Sequence, residues 1–431
     1  MFRSYLAHIL LGKTQMIGTR KLVSFSIFLL AVVFLACTNC LLGQSIKPAL
    51  FVVNNGSNEI VSFTVDGGGN LKIVSAMPAG FVPANSALSP NGKYLAVSQF
   101  ANSRIAIFEV NPDATLTEVI STRIGDTIVD LAWLTDEHLA LVDRDLRNSL
   151  VYTYEFDSTA NTLTLRDTER TGGFSVSLGT ARGGELLFTN DIQFGTILSF
   201  SVNASADMSL VDAELLEPVL AVAFHPSPDG RFLYSTAGSS TNRILTHAIE
   251  ANGELTALPD FFTPSGAPNF LTMNEEGTIL VVCHGADETV HTFLRDTVTG
   301  DLTGSGFFVD IDGPTTNARD PEMLGDILFV LDQYNSDNGE RGVLTYQIGE
   351  DGSFKQLGGN VDTMGSPVSQ EIWPGIVLGD INGDGAVDLL DVSPFVAALT
   401  DGQYIPAADI NCDGSLSLLD VPPFIDLLTG N

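Results

Sequence analysis

Short apolar runs recur at nearly equal intervals along most of the chain. Seven of them read ALFVVNN, KYLAVSQ, HLALVDR, ELLFTND, RFLYSTA, TILVVCH and DILFVLD, and they begin at Ala49, Lys93, His138, Glu185, Arg231, Thr278 and Asp326. The intervals of 44 to 48 residues are typical of stacked or radial repeats. Each run is followed by an alternating segment, such as RIAIFEV or VLTYQI, and by Gly or Asn turns. This pattern predicts four strands joined by hairpins in every repeat.

The two ends of the repeat region predict a closed ring. The first repeat begins at its second strand, because only QSIKP precedes ALFVVNN. The segment GSPVSQEIWPGIVLG, residues 365 to 379, follows the seventh repeat and reads as a first strand without the rest of its repeat. Pairing the two would complete one blade from both chain ends and remove the exposed edges of the array. We therefore expect an all-β seven-bladed propeller over residues 47 to 378.

The repeats also resemble a known family. Stretches such as LSPNGKYLAVSQFANSRIAIFEV and HPSPDGRFLYSTAGSS are similar to the lactonase-type seven-bladed propellers, which include bacterial 6-phosphogluconolactonase and fungal carboxymuconate-lactonising enzymes. The resemblance implies lactone chemistry by His, Arg and Glu side chains where the innermost strands meet, with a recurrent Pro-x-His. Here the matching positions read Pro83-Ala84-Asn85 and Pro268-Asn269-Phe270. Both lack the histidine, so no catalytic residue is assigned.

Polar residues at the starts of the first strands are candidates for ligand contacts, because innermost strands line the channel of a propeller. These candidates are Asn85, Asp130, Ser177, Arg319 and Asp320. A small-molecule or carbohydrate ligand is one interpretation, and a hydrated channel is the other. Aligning AFHPSPDG with ALSPNG places His225 at the position of Ser89, which favours a polar turn residue over a general base.

Two acidic segments near the C-terminus have the spacing of EF-hand-type calcium loops. DINGDGAVDLLD begins at Asp380, and DINCDGSLSLLD begins at Asp409. Oxygen donors fall at loop positions 1, 3, 5, 9 and 12, position 7 offers a backbone carbonyl, and Gly at position 6 allows the turn. The predicted ligands are Asp380, Asn382, Asp384, Ala386, Asp388 and Asp391 in the first loop and Asp409, Asn411, Asp413, Ser415, Ser417 and Asp420 in the second. The sequence predicts two Ca²⁺ sites.

Each loop is followed by an apolar helical stripe. The stripes are Leu389, Val392, Phe395, Val396 and Leu399, and then Leu418, Val421, Phe424, Ile425 and Leu428. Their spacing of three and four predicts one face per helix and packing of the two helices. Residues 379 to 431 resemble a type I dockerin, which implies a cohesin-like protein partner. The pairs Leu389-Leu390 and Leu418-Leu419 leave open a different partner or packing against the propeller.

The net charge and the N-terminal segment restrict the partners and the location that we expect for the protein. The chain carries 52 Asp and Glu against 20 Lys and Arg, a formal charge of −32, which disfavours nucleic acid and anionic lipid as partners. The apolar run at residues 22 to 36 has the length of a signal-peptide core and is too short for a spanning helix. We expect a signal peptide over residues 1 to 44, no later transmembrane segment, and a secreted or cell-surface protein, with a lipid anchor at Cys37 as the alternative to ordinary cleavage.

Two functions fit these features. The first is an exported, calcium-binding hydrolase whose propeller opens a lactone or a carbohydrate-derived ester. The second is a non-catalytic recognition or scaffold propeller, anchored at the cell surface or in an extracellular complex through its C-terminal module. The absent histidines favour the second, and the family resemblance favours the first.

Overall fold

The structure is a computed structural model. It describes residues 46–125, 127–145, 147–216, 220–237, 241–311, 317–333, 342–382, 386–402, 405–411 and 415–429. The chain divides into a large compact unit, Lys47–Gly375, and a smaller one that contains Ile46 and the described residues from Ile376 onwards. The signal peptide predicted over residues 1 to 44 lies outside the described residues. Within the described part, no helix combines the length and the apolar character needed to span a bilayer.

The large unit consists of seven antiparallel sheets. Blade 1 contains β1 (Ala49–Asn54), β2 (Glu59–Val65) and β3 (Leu71–Pro78). Blade 2 contains β4 (Pro83–Leu88), β5 (Tyr94–Gln99), β6 (Arg104–Val110) and β7 (Leu116–Arg123). Blade 3 contains β8 (Ile128–Trp133), β9 (His138–Asp143), β10 (Leu150–Asp157) and β11 (Thr162–Arg170). Blade 4 contains β12 (Leu178–Ala181), β13 (Leu186–Asp191), β14 (Thr196–Val202) and β15 (Met208–Leu215).

The remaining blades repeat this order. Blade 5 contains β16 (Ala221–Pro226), β17 (Phe232–Ala237), β18 (Arg243–Ile249) and an outer strand in two pieces, β19 (Leu255–Ala257) and β20 (Phe261–Phe262). Blade 6 contains β21 (Pro268–Met273), β22 (Ile279–His284), β23 (Thr289–Arg295) and β24 (Leu302–Asp310). Blade 7 contains β25 (Ala318–Leu324), β26 (Ile327–Asp332), β27 (Gly342–Ile348) and the outer pieces β28 (Phe354–Gln356) and β29 (Val361–Asp362).

The ring closes as the sequence predicts. The last strand, β30 (Pro367–Trp373), lies within the segment interpreted as a first strand and pairs antiparallel with β1, where Val52 faces Gln370. It is the innermost strand of blade 1. The innermost strands of successive blades contact one another around the whole ring, including β30 with β4 and β25 with β30. The predicted seven-bladed propeller is confirmed.

The apolar runs form the second strands of the blades, where both faces are covered by neighbouring blades. Strands β1, β5, β13, β17, β22 and β26 are buried along their whole length, whereas the outer strand β3 is mostly exposed or half-buried. Hydroxyl groups also connect the blades. Thr153, Ser199 and Thr292 each donate to the backbone carbonyl of a turn in the next blade, at Ala206, Gly253 and Gly352, over 2.6–2.7 Å.

An ion pair between a buried arginine and a half-buried aspartate connects blades 5 and 6. The Arg295 side chain is buried, and its Nη2 lies 3.2 Å from Asp229 Oδ2. Its Nε donates to the Tyr234 hydroxyl at 2.8 Å and its Nη1 to the Gly277 carbonyl at 2.8 Å. Every edge of the guanidinium is therefore used, which is what a buried arginine requires to offset its desolvation.

The innermost strands share a local irregularity that shapes the channel. In β4, β8, β16, β21, β25 and β30 the pairing with the second strand shifts by one residue. A β-bulge of this kind adds a residue to one strand and redirects side chains. In β25 the bulge includes Asp320, whose φ of 45° lies in the left-handed region, a strained conformation for a residue with a side chain.

The small unit contains two short helices, α1 (Val392–Asp401) and α2 (Val421–Thr429). Pro394, Pro422 and Pro423 fall in the first helical turns, where proline is tolerated. The rings of Phe395 and Phe424 stack with centroids 4.2 Å apart in a core with Leu378, Ala408 and Ile410. The predicted packing of the helices is confirmed, but the stripes are narrower than predicted. Leu389, Val396, Leu418 and Ile425 are more than half exposed.

Candidate functional site

A cavity lies where the innermost strands meet. Its volume is about 560 Å³, and it is lined by residues from the starts of those strands and from the bulges. All five predicted mouth residues, Asn85, Asp130, Ser177, Arg319 and Asp320, line it. The bulges explain this convergence, since a regular period-2 strand would turn alternate side chains into the blade interfaces.

Asp130 is held firmly at the cavity wall. Its Oδ1 accepts from the backbone N–H of Leu131 at 2.9 Å and from the side-chain amide of Asn85 in the neighbouring blade. Its Oδ2 accepts from the backbone N–H of Leu178 in the next blade at 2.7 Å. Asp130 thus bridges three blades, and its carboxyl orientation is fixed.

A second group of charged side chains comes from β25 and β30. Asp320 Oδ2 accepts from the backbone N–H of Gln370 at 2.7 Å, and Glu371 Oε2 accepts from that of Leu88 at 3.2 Å. Arg319 Nε donates to the Val368 carbonyl at 2.7 Å. Glu322 also lines the cavity. The sequence-based prediction missed Glu322 and Glu371, although acidic residues inside innermost strands are themselves a signal, since such positions are usually apolar or neutral.

Burial raises the pKa values of these carboxyl groups. Desolvation raises the pKa of Asp130 to about 7, although the N–H groups of Leu178 and Leu131 lower it, and the charge of Asp320 raises it further. Desolvation also raises the pKa of Asp320. It raises the pKa values of Glu322 and Glu371 well above their ordinary range, and the mutual repulsion of these acids adds to the effect. Carboxyl groups in this state can hold or transfer a proton near neutral pH.

His225 occupies a different position from the predicted one. The turn Ser227 to Gly230 matches the turn Ser89 to Gly92, because Ser227 and Ser89 each donate to the side chain two residues later and both glycines have positive φ. His225 therefore precedes the turn by two residues, inside β16, and lines the cavity. The prediction of a turn residue was wrong because the alignment was displaced by two positions. Desolvation lowers the pKa of His225 to about 4, so the ring is neutral at pH 7.

The predicted calcium ligands lie in the small unit, and ten of the twelve are described. Asp384 and Asp413, at loop position 5, lie outside the described residues. Asp391 Oδ1 accepts from the backbone N–H groups of Ile381 and Asn382, and its Oδ2 from that of Asp388, at 2.7–3.0 Å.

The second loop is closed in the same way. Asp420 accepts from the N–H groups of Asn411 and Ser417 at 3.1 and 2.9 Å, and both Asp391 and Asp420 are fully buried. Asp388 and Ser417 cap the turns that follow, accepting from the N–H groups of Leu390 and Leu419. Within the described residues, no set of three or more His, Cys, Asp or Glu side chains is arranged to hold a metal ion.

Comparisons with known proteins agree with the propeller. A family model described as "Lactonase, 7-bladed beta-propeller" matches residues 45–133 and 208–318. The propeller is similar to the lactonase family of seven-bladed β-propellers. It is 25% identical over 272 residues to a 6-phosphogluconolactonase of Formosa agariphila, covering 57% of this chain and 76% of the relative. In this propeller, Asn85 and Phe270 stand where the resemblance implied histidine, and both line the cavity.

Solved structures show the same fold at low sequence identity. The periplasmic gluconolactonase of Pseudomonas aeruginosa superposes with a TM-score of 0.64 at 18% identity, covering 75% of this chain and 98% of its own. A protein from Lactobacillus plantarum superposes with a TM-score of 0.62 at 17% identity, covering 76% and 99%. In each case the coverage matches the share of the chain that the propeller occupies.

Proposed function

We propose that the propeller hydrolyses a lactone, or a carbohydrate-derived ester, bound in the axial cavity. The proposal rests on Asp130, a cavity-lining carboxyl group whose pKa of about 7 suits a general base at neutral pH. Among the described residues, the Leu178 N–H is the only donor to Asp130 Oδ2, so this oxygen keeps a lone pair for a water molecule. The family match to lactonases supports the same reaction.

In this mechanism Asp130 removes a proton from a water molecule while the water oxygen forms a bond to the lactone carbonyl carbon. The ring C–O bond then breaks, and Asp130 returns the proton to the ring oxygen, which leaves as a hydroxyl group. The product is an open-chain hydroxy acid that releases one proton at neutral pH. Asn85 fixes the orientation of Asp130, and the neutral imidazole of His225 and the amide of Asn269 offer further polar contacts along the wall.

The test is pH-stat titration of acid release from a panel of sugar and aromatic lactones. We expect catalysed release with the native chain and a loss of about 10²-fold or more in Asp130→Asn. Asp167→Asn is the matched control, because Asp167 also accepts a backbone N–H from the next blade, that of Met208 at 2.7 Å, but does not line the cavity. No acid release above the buffer blank for any lactone would contradict the proposal and favour a non-catalytic recognition propeller.

We also propose that the paired loops of the small unit bind two Ca²⁺ ions. Their donor sets consist of carboxylate, amide, hydroxyl and carbonyl oxygens, the ligands that calcium prefers. The supporting observation is that two loops 29 residues apart in sequence are closed in the same way, by a buried aspartate at position 12. Residues 376 to 431 contain nine aspartates and no lysine or arginine, so bound cations would relieve their repulsion.

Export and docking are proposals that follow from the same features. The apolar run at residues 22 to 36 supports a signal peptide, and calcium is plentiful outside cells. The small unit would then serve as a dockerin-like module that binds a cohesin-like or other protein. Its exposed Leu389-Leu390 and Leu418-Leu419 pairs, each residue at least 67% exposed, are the natural contact surface.

A further inference from the structure

We propose that the axial cavity selects uncharged, polyhydroxylated lactones and discriminates against lactones that carry a phosphate or a second carboxylate. This selectivity rests on the proposed lactone hydrolysis. The selectivity would distinguish this protein from its relative in Formosa agariphila, which is named as a 6-phosphogluconolactonase.

The charges on the cavity wall carry the inference. Three acids, Asp130, Asp320 and Glu322, line the cavity, and Arg319 is the only lysine or arginine among the described lining residues. A phosphate dianion needs several cationic or N–H donors in place around it. The described wall residues offer no such set of donors, and each carboxyl group repels a phosphate once it is ionised, because a partly desolvated site weakens the screening by water.

Arg319 is poorly placed to compensate. Its Nε is bonded to the Val368 carbonyl at 2.7 Å and its Nη1 to Gln333 Oε1 at 3.3 Å. Its guanidinium lies 4.9 Å from the centroid of the Phe270 ring. These contacts fix Arg319 along the wall, so two of its three side-chain nitrogens already have partners before any ligand enters. His225 adds no positive charge, since its pKa is lowered to about 4 by burial.

The other polar wall residues suit sugar hydroxyls. They are neutral amides and hydroxyls, namely Asn85, Ser177, Asn269, Thr272 and Asn317. The acids are also compatible with hydroxyl groups, because a carboxylate accepts from a hydroxyl and a protonated carboxyl can donate to one. Only the protonated form can donate to a phosphate oxygen. The wall therefore accommodates a polyol in any protonation state.

The same charges affect the product. Hydrolysis converts an uncharged lactone into a carboxylate, which the acidic wall repels. We therefore expect weak product inhibition, because the open-chain acid binds worse than the lactone.

Three lactones test the selectivity: glucono-δ-lactone, 6-phosphoglucono-δ-lactone and glucaro-1,4-lactone, whose second carboxyl group is free. We expect kcat/KM for the uncharged lactone to exceed that for either anionic lactone by about ten-fold or more at low salt. Raising the salt from about 10 mM to about 500 mM should narrow the difference by increasing the rates with the anionic lactones.

Glu322→Gln isolates the contribution of charge. The described residues give the Glu322 carboxyl group no hydrogen bond or ion pair, so the isosteric amide removes no contact. Because burial raises the pKa of Glu322 well above its ordinary range, its charge develops only as the pH rises. In the native chain, the ratio of kcat/KM for the phosphorylated lactone to that for the uncharged lactone should fall between about pH 7 and about pH 9, and Glu322→Gln should reduce this fall by about 3-fold. Glu254→Gln, at an exposed turn of blade 5, should leave the ratio unchanged.

The outcomes separate the two proposals. Hydrolysis of none of the three lactones would contradict the proposed reaction itself. Hydrolysis in which the phosphorylated lactone equals or exceeds the uncharged one would leave the reaction intact and overturn the selectivity. A ratio that does not respond to Glu322→Gln or to salt would overturn the electrostatic origin.

Discussion

Asn85 donates its side-chain amide to the carboxylate of Asp130 across the boundary between blades 2 and 3. A hydrogen bond to the ionised form favours that form, so Asn85 lowers a pKa that desolvation raises. The amide therefore tunes the group proposed as the general base. The resemblance to lactonases implied a histidine at this position, but this chain has Asn85, an uncharged hydrogen-bond donor, instead.

The activity of the native chain should depend on a group that titrates near neutrality. Because a base acts in its deprotonated form, kcat/KM should fall as the pH decreases below about 7, the pKa of Asp130. The measurement is initial rates of lactone hydrolysis between about pH 5 and pH 8, corrected for spontaneous hydrolysis at each pH. A flat profile across this range would exclude Asp130 as the base.

Asn85→Ala should move the low-pH fall in kcat/KM to higher pH. Loss of the amide removes a bond to the ionised carboxylate, so the pKa of Asp130 rises and the rate at about pH 6 falls by about 3- to 10-fold. The rate at high pH should change less. Asn111→Ala, which removes amide bonds to Thr115 and Thr117 in a turn, is the control and should leave the profile in place.

Arg295→Gln should destabilise the propeller strongly. The substitution removes the bonds of the buried guanidinium to Asp229, Tyr234 and Gly277. Because Asp229 is partly exposed but the Tyr234 and Gly277 partners are buried, we expect a cost of about 2–4 kcal/mol in the free energy of unfolding. Arg231→Gln removes a partner of the same Asp229, at 3.1 Å, but one whose side chain is 51% exposed. That control should cost less than about 1 kcal/mol in denaturant unfolding. Equal effects would contradict the role assigned to burial.

The contribution of this pair should disappear in acid. Desolvation raises the pKa of Asp229, but hydrogen bonds from Ser227, Arg231 and Arg295 outweigh this effect and hold the pKa well below its ordinary value. A depressed acid stabilises the fold above its unfolded-state pKa, and the stability is lost as the pH falls below about 4. The difference in unfolding free energy between the native chain and Arg295→Gln should therefore narrow below that pH.

Calcium titration tests the paired loops. We expect two Ca²⁺ ions per chain by calorimetry, and one after either Asp380→Ala or Asp409→Ala, because each substitution removes the first ligand of a single loop. Asp426→Ala, an exposed aspartate in α2, is the control of equal charge change. Unchanged stoichiometry in the two loop variants would refute the ligand assignment.

Phe395→Ala should loosen the small unit. Phe395 is 2% exposed and stacks on Phe424, and removal of a buried ring costs about 3–5 kcal/mol. Hydrogen exchange should accelerate in both α1 and α2. Val396→Ala, at a position 51% exposed, should have little effect, and equal exchange in the two variants would contradict the observed core.

The repeat pattern was sufficient to predict the blades and the closure of the ring, because every blade uses the same buried second strand. The pairing of β30 with β1 could be predicted, since an incomplete repeat at one end and a surplus strand at the other have one simple solution. The exposed halves of the predicted helical stripes were not foreseen, since periodicity shows which residues share a face but not how wide the buried face is.

The cavity could be predicted only in part. Asn85 and Asp130 were identified because they align at strand starts, but His225 was placed two residues away from its true position. Glu322 was missed because the bulge in β25, between Arg319 and Glu322, reverses the alternation on which side-chain direction is normally judged. Neither a bulge nor the proximity of acids from β25 and β30 leaves a periodic signal.

The pairing of β30 with β1 also has a consequence for biosynthesis. The first strand of the propeller to be synthesised, β1, finds its inner partner only when the last strand of the propeller has been made. Until then blade 1 has an open edge, and the contact that fastens the ring is among the most distant in the chain. Folding should therefore be slow at its final step, and until that step the unpaired edge of β1 is open to pairing with other chains.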